Sequence, residues 1–382
     1  MASPFKFNPL QIPDELKPLR MEVRSFLREA SRDWSGWELG HSWTCFDPEF
    51  SREVGKRGWI GMTWPEQYGG HNRSALERFV VVEEMLAAGA PVGAHWIGDR
   101  QSGPLLLRIG TEEQRQRILP MIVRGEAPFC IGLSEPGSGS DLASISSRAD
   151  KVDDGWRLNG RKIWTTYAHL SDFMIGLFRS DRSKERHAGL SQFLIDIRSS
   201  GIEVRPIADL TGEAHFNEVL FEDVFVPDNM LLGSEGDGWQ QVTSELTFER
   251  SQPDRFMSCF PLLPLSIDAL QGSEDRLACR QIGQSLSELV ILREMSLSIL
   301  GQLEQGHTPS QEAALVKELG NSYEQRAPDM VRELFDTPAV MTRGDRLSEL
   351  QAYLTQTVPS FSLRGGTREI LRGIIAKGLG LK

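Results

Sequence analysis

The chain has 382 residues, 40% hydrophobic and 25% charged, enough for two or three structural units and a sizeable buried core. Its formal net charge is −11, with both signs dispersed along the chain; this argues against a surface built for nucleic acid or anionic membrane and favours a small-molecule partner. Cys45, Cys130, Cys259 and Cys279 stand far apart without a CxxC pair, so neither a zinc cage nor a disulfide framework is indicated, no metal is expected, and a reducing cytoplasm fits.

The first residues, MASPFKFNPLQIPDEL, carry prolines and acids where an export signal has a basic stretch and an apolar one. Nowhere do eighteen apolar residues run uninterrupted, so neither export nor a membrane span is expected. From Pro13 to about Gly125 apolar residues recur at three and four, in LKPLRMEVRSFL, ALERFVVVEEMLAAG and TEEQRQRILPMIV, which predicts helices. Thr111 suits an N-cap, with acids in the first turn behind it, and Pro120 should distort or end that helix.

Between about Ala127 and Leu232 the pattern shifts to short β-rich runs: GWRLNGRKIWTT, DFMIGLFRS, SQFLIDI and HFNEVLFEDVFV. Asn159-Gly160 predicts a tight hairpin. After GSEGDGWQQV the helical period returns, through SELTFERSQPDRFMS, CRQIGQSLSELVILREMSLSILGQL and EAALVKELGNSYEQRAPDMVREL, to the final TREILRGIIAKGL. Helices flanking one antiparallel β unit imply an α+β fold. GxGxxG after a strand, a P-loop, HExxH and GxSxG are all absent.

CIGLSEPGSGSDL, Cys130 to Leu142, reads as a loop rich in hydroxyls and backbone N–H groups, suited to a polar ring edge or a phosphate, or equally to an ordinary Ser/Gly turn. With GWIGMTWPEQYGG, IGTEEQRQRILP, NGRKIWTT, GDGWQQV and the closing GGTREILRGIIAKGLGL in this order, nearly the whole chain resembles the acyl-CoA dehydrogenase family of flavoproteins. The resemblance implies an N-terminal helical domain (1–126), a central antiparallel β domain (127–234) and a C-terminal four-helix-bundle domain (235–382), with FAD held between the last two. By motif position, Leu133 and Ser134 would meet the flavin pyrimidine edge, Trp164 would pack beside the ring, and Thr166 would bond near N5. Ser140 would touch the substrate's pantetheine at the edge of the cofactor site, and Thr367 would contact FAD while capping the last helix. A buried flavin needs a flat apolar wall and a few aimed donors; Trp164 would also suit a core.

The reaction implied removes a proton alpha to a thioester carbonyl while a hydride leaves the beta carbon for flavin N5, so a general base must lie within hydrogen-bond reach. In many family members it is the Glu of a [YF]EGT motif, which here reads Arg364-Gly365-Gly366-Thr367. Gly365 has no side chain, although its backbone N–H could polarise the thioester oxygen. Other branches carry the base on an earlier helix in a stretch like LER, and ELTFERS supplies Glu249 there, with Arg250 beside it. Glu249 is taken as the base, with Arg250, Gly365 and Gly366 on the substrate side. Glu369 is the rival, though an acid in a first turn is explained by the helix dipole.

Neither the RxxFG-like stretch that reaches FAD pyrophosphate across subunits nor QxxGGxG is recognisable. The resemblance therefore implies a homo- or hetero-tetramer in which a related subunit supplies the missing cationic contact, as in bacterial two-subunit acyl-CoA dehydrogenases acting on steroid-like side chains, with an electron-transfer flavoprotein as electron acceptor. The alternatives are a catalytically silent subunit and a flavoprotein lyase or desulfinase; an oxidase is disfavoured by length.

Overall fold

The computed structural model describes residues 5–184, 186–335 and 344–381, and for 245–249 the backbone alone. The chain forms two compact units, one built from Met1–Cys45, Ser74–Pro91 and Leu246–Lys382, the other from Phe46–Arg73 and Val92–Glu245. No helix among the described residues is long and apolar enough to cross a membrane.

The second unit is organised around one sheet. Its strands are β1 (Phe129–Gly132), β2 (Arg148–Val152), β3 (Gly155–Thr166), β4 (Phe173–Arg179), β5 (Leu190–Asp196), β6 (Ile202–Ile207), β7 (Phe216–Pro227) and β8 (Leu231–Leu232). They lie in the order β6-β7-β3-β2-β4-β5-β8, with β1 beside β4. Pairing is largely antiparallel; β1 runs parallel to β4, and β2 meets β4 in parallel through Arg148 and Arg179. Strands β4 and β5 are buried along nearly their whole length, which is why DFMIGLFRS and SQFLIDI read as apolar runs without alternation. Phe178, Phe193, Phe221, Trp156 and Leu158 fill the core of this sheet.

The hairpin expected at Asn159-Gly160 is not formed there. β3 runs straight through this dipeptide, because it is paired on one side with β2 and on the other with β7. The turn lies earlier, between Val152 and Gly155, with Asp154 at φ +62°. Gly160 instead sits at a register shift against β7 with φ +143°, and a Cβ there would lie 2.3 Å from Ser147 Oγ. On the helical side of this unit, Thr111 caps Glu112–Val123 as expected: its hydroxyl accepts from Gln114 N, and Gln114 Oε1 accepts from Thr111 N. Pro120 lies within that helix, which continues for three more residues.

In the first unit, Ser35 with Glu38 and Ser74 with Glu77 form two further capping boxes. The helix Gly238–Arg250 stops where Gln252, forced to extended backbone (ψ 155°) by Pro253, cannot continue it, so the helical run expected through SELTFERSQPDRFMS is broken. The helices Arg276–Glu304, Arg346–Phe361 and Arg368–Gly378 each pack against Ser310–Phe335. Leu350, Tyr353, Leu354, Val331 and Phe361 form the core here, with Leu39 and Leu262. Helices, then strands, then helices is the order read from the sequence and the order observed.

Gly160→Ala is expected to destabilise the sheet unit by about 1–3 kcal/mol, since the new Cβ meets both an unfavourable φ and Ser147. Urea unfolding followed by fluorescence checks this; an unchanged midpoint would contradict it.

Candidate functional site

The loop that follows β1 is fixed from beneath by a buried ion pair. Lys162, fully buried on β3, donates from Nζ to Glu135 Oε1 at 2.9 Å and to the Leu133 carbonyl at 3.2 Å. Glu135 also accepts from Ser146 N (2.7 Å), Ser146 Oγ (2.9 Å) and Ser147 N (2.9 Å). The Ser134 carbonyl accepts from Ile163 N at 2.9 Å, and Glu135 and Ser138 exchange backbone bonds. Burial pushes the Glu135 pKa up, but the Lys162 charge and these hydrogen bonds outweigh it and hold the carboxyl down at about 2. Burial lowers Lys162 to about 8, against the pull of Glu135 in the other direction. The backbone at Leu133 and Ser134 is thus locked to β3, while Ser140 is exposed beyond it.

On the same strand, the register shift between Lys162 and Thr165 lifts Trp164 out of the ladder. Its φ is +60°, a left-handed backbone that costs a non-glycine residue about 1–3 kcal/mol, and its side chain is 57% exposed. It touches Phe216 edge-on at 5.9 Å. The core role considered for Trp164 is therefore excluded: a large indole is held in strained backbone and presented at the surface of its unit. Thr166, half-buried, closes the strand opposite Phe216. A Cβ at Gly137 or Gly139 would meet nothing within 4 Å, so the loop leaves open space where it is most glycine-rich.

In the other unit, the turn Arg364-Gly365-Gly366 is held by charges at each residue. Arg364 Nη2 donates to Glu324 Oε2 (3.1 Å), Ser258 Oγ (3.0 Å) and the Asp254 carbonyl (2.9 Å), and its guanidinium lies 4.3 Å from the ring centroids of both Trp43 and Phe361. The Gly365 carbonyl accepts from Arg250 Nε at 3.0 Å, and the Gly366 carbonyl from Lys317 Nζ at 3.2 Å. Both glycines have left-handed φ, +65° and +104°, and a Cβ on Gly366 would come 3.3 Å from Arg250 Nη2. Burial raises the Glu324 pKa, and Arg364 opposes this.

Thr367 occupies the N-cap position of Arg368–Gly378, with its carbonyl accepting from Leu371 N, but its side chain makes no capping bond. Glu369 is exposed in the first turn, and hydrogen bonds at the helix start hold its carboxyl below the usual range. Glu249 belongs to the helix Gly238–Arg250, and its side chain lies outside the described residues. Arg250, expected on the substrate side, is buried and bonded to the turn.

Residues 13–126 match the profile of the acyl-CoA dehydrogenase N-terminal domain, and residues 130–224 that of the acyl-CoA dehydrogenase middle domain. Acyl-CoA dehydrogenase IpdE1 of Mycobacterium tuberculosis is 31% identical over 335 residues, covering 86% of each chain. The chain belongs to the acyl-CoA dehydrogenase family. Members of this family are flavin-dependent oxidoreductases. Among solved structures, the Tcur3481-Tcur3483 steroid acyl-CoA dehydrogenase superposes with a TM-score of 0.87 at 26% identity, covering 97% of this chain and 99% of that one. The ChsE4-ChsE5 complex from Mycobacterium tuberculosis superposes with a TM-score of 0.83 at 25% identity, covering 98% and 99%.

Sequence reasoning placed the loop, the strand and the turn that carry the family's motifs. It missed the charges that hold them: Lys162 with Glu135, and Lys317 and Glu324 behind the turn. The second pair had a signal, two charged residues seven apart on a helix face that also carries Ala313, Ala327 and Val331. The first had none, because Glu135 and Lys162 meet only through tertiary packing.

Glu135→Gln leaves Lys162 as an unpaired buried cation and is expected to cost about 3–5 kcal/mol. Glu135 has a depressed folded-state pKa, so its stabilisation is present above its ordinary value near 4.5 and is lost as pH falls toward about 2. Urea titrations across this range should show an acid-side loss in the parent that is absent in the variant; equal curves would contradict the assignment.

Proposed function

We propose that this chain is an FAD-dependent acyl-CoA dehydrogenase that converts an acyl-CoA thioester to the 2-enoyl-CoA, with Glu249 as the base for the alpha proton. The observation that carries this reading is the bond from Arg250 to the Gly365 carbonyl at 3.0 Å, which ties the backbone next to Glu249 to the turn where the family's usual acid is missing. Gly365 has no side chain to accept a proton. Glu369 is an exposed acid held ionised by its helix start, which leaves it without the desolvated setting that brings a carboxylate's pKa toward neutrality.

The residues of the sheet unit fit a flavin. A flat ring needs an apolar plane and a few fixed donors; Trp164 offers an exposed indole next in sequence to Ile163, whose N–H bonds the Ser134 carbonyl, and the loop leaves open space at Gly137 and Gly139. Leu133, Ser134 and Thr166 would hold the ring edge, with Ser140 at its periphery. When bound, FAD supplies the acceptor for the hydride that leaves the beta carbon.

This chain's own residues do the rest. The Glu249 carboxylate takes the alpha proton, and the electron pair released forms the double bond as the hydride departs. The Gly365 N–H donates to the thioester oxygen, stabilising the negative charge that develops there as the proton leaves. Arg250 holds the same residue from behind, through its carbonyl.

A bulky, steroid-like acyl group is supported by the likeness to a steroid acyl-CoA dehydrogenase, and a related partner subunit by the two-component names of both structural neighbours. Electrons would pass on to an electron-transfer flavoprotein.

Glu249→Gln is expected to slow anaerobic flavin reduction by acyl-CoA by about 10²–10⁴-fold while retaining acyl-CoA binding. Stopped-flow absorbance with a panel of acyl-CoAs measures it. Reduction at the parent rate would overturn Glu249 as the base.

A further inference from the structure

The helix Ser310–Phe335 presents three fully buried polar residues, Lys317, Asn321 and Glu324, at a spacing of four and three, where an amphipathic helix would place its apolar stripe. Gly320, on the same face, brings the helix backbone against the chain at Arg255, since a Cβ there would lie 2.2 Å from the Arg255 carbonyl oxygen. Polar groups on a core face are costly to bury, and apolar replacements of similar volume are often neutral or stabilising. Stability alone therefore does not account for this stripe.

What it does is visible in its bonds. Lys317 Nζ donates to the Gly366 carbonyl (3.2 Å) and lies 3.5 Å from Asn321 Oδ1. Glu324 accepts from Ser258 N (2.8 Å) through one oxygen and from Arg364 Nη2 (3.1 Å) through the other. The stripe thus grips the turn just before its glycines and just after them. A trans peptide is planar, so fixing a carbonyl oxygen also fixes the N–H on the opposite side of the same bond, and this chain has no cis peptide among its described residues. Lys317 sets the plane that follows Gly366, and Arg250 the plane that follows Gly365. These two planes carry the Gly366 N–H and the Thr367 N–H, and with the Arg364 side chain anchored in front, the Gly365 N–H sits on a segment held at both ends, although glycine at φ +65° would otherwise turn freely.

We infer that Lys317 is a positioning residue for the thioester carbonyl. It acts through the Gly366 carbonyl to hold the backbone donors of the turn at the substrate oxygen, with Glu324 doing the same through Arg364. The inference rests on the reading of this turn as the thioester-binding element. It explains why the stripe is polar, and it assigns a role to two charged residues that the proposed chemistry does not otherwise use.

The test separates the two claims. Calorimetry would compare the affinity of an acyl-CoA thioester with that of the S-alkyl-CoA thioether of the same chain length, which lacks the carbonyl oxygen. The parent should prefer the thioester by on the order of tenfold, about one hydrogen bond's worth. Lys317→Met should bring that preference close to one with thioether affinity unchanged, and Lys317→Arg should restore part of it. If the parent shows no preference, the turn is not the thioester site and the reading beneath this inference fails. If the parent prefers the thioester and Lys317→Met prefers it equally, Lys317 is not a positioning residue. Should Lys317→Met not fold, Glu324→Gln carries the same comparison, with the same outcome required.

Discussion

Arg250 and Lys317 each set a buried positive charge against the carbonyl of a glycine, and the two glycines are adjacent. Shifting either carbonyl would take a hydrogen bond from a cation that has no bulk water to replace it, at a cost of about 1–3 kcal/mol or more. A Gly-Gly dipeptide is among the most mobile pieces of backbone in solution; here that freedom is removed by electrostatics from behind. Glycine remains necessary, because both positions need left-handed φ and a Cβ on the second would press against Arg250. The turn is chosen for its backbone, and its side-chain chemistry is supplied by other elements.

The sheet unit uses the same device. Lys162, fully buried, reaches the Leu133 carbonyl at 3.2 Å as Lys317 reaches that of Gly366 at 3.2 Å. In each case a lysine from a regular element fixes a glycine-rich segment by one main-chain oxygen, and a buried glutamate lies close by, Glu135 in one unit and Glu324 in the other. Trp164 extends the pattern: the ladder bond lost at its bulge and the strain at φ +60° are tolerated because β3 is paired on both flanks before the bulge begins. Rigid surroundings hold backbone that would relax on its own.

Much of this was legible beforehand, and what escaped has a common cause. Local patterns located the start of the Glu112–Val123 helix to the residue through Thr111, and the β character of 155–166. Asn159-Gly160 misled because a turn-forming dipeptide in a strand flanked by two partners becomes a bulge: tertiary pairing outweighs local propensity. Pro253 ended a helix whose periodicity continued past it. The motif positions Leu133, Ser134, Trp164, Gly365 and Gly366 could be located from sequence, but their supports could not, since Glu135 with Lys162 and Arg364 with Glu324 are 27 and 40 residues apart. The exposure of Trp164 was likewise hidden, because an aromatic in a strand is buried more often than not.

The account as a whole requires that a carboxylate on the helix ending at Arg250 serve a substrate whose carbonyl is held at Gly365. The most direct measurement is a crystal structure of the protein with FAD and a non-oxidisable acyl-CoA thioester. It should show the thioester oxygen within hydrogen-bond distance of the Gly365 N–H and the Glu249 carboxylate about 3 Å from the acyl C2. A thioester seated elsewhere, or a Glu249 carboxylate turned into solvent while another acid faces C2, would contradict it.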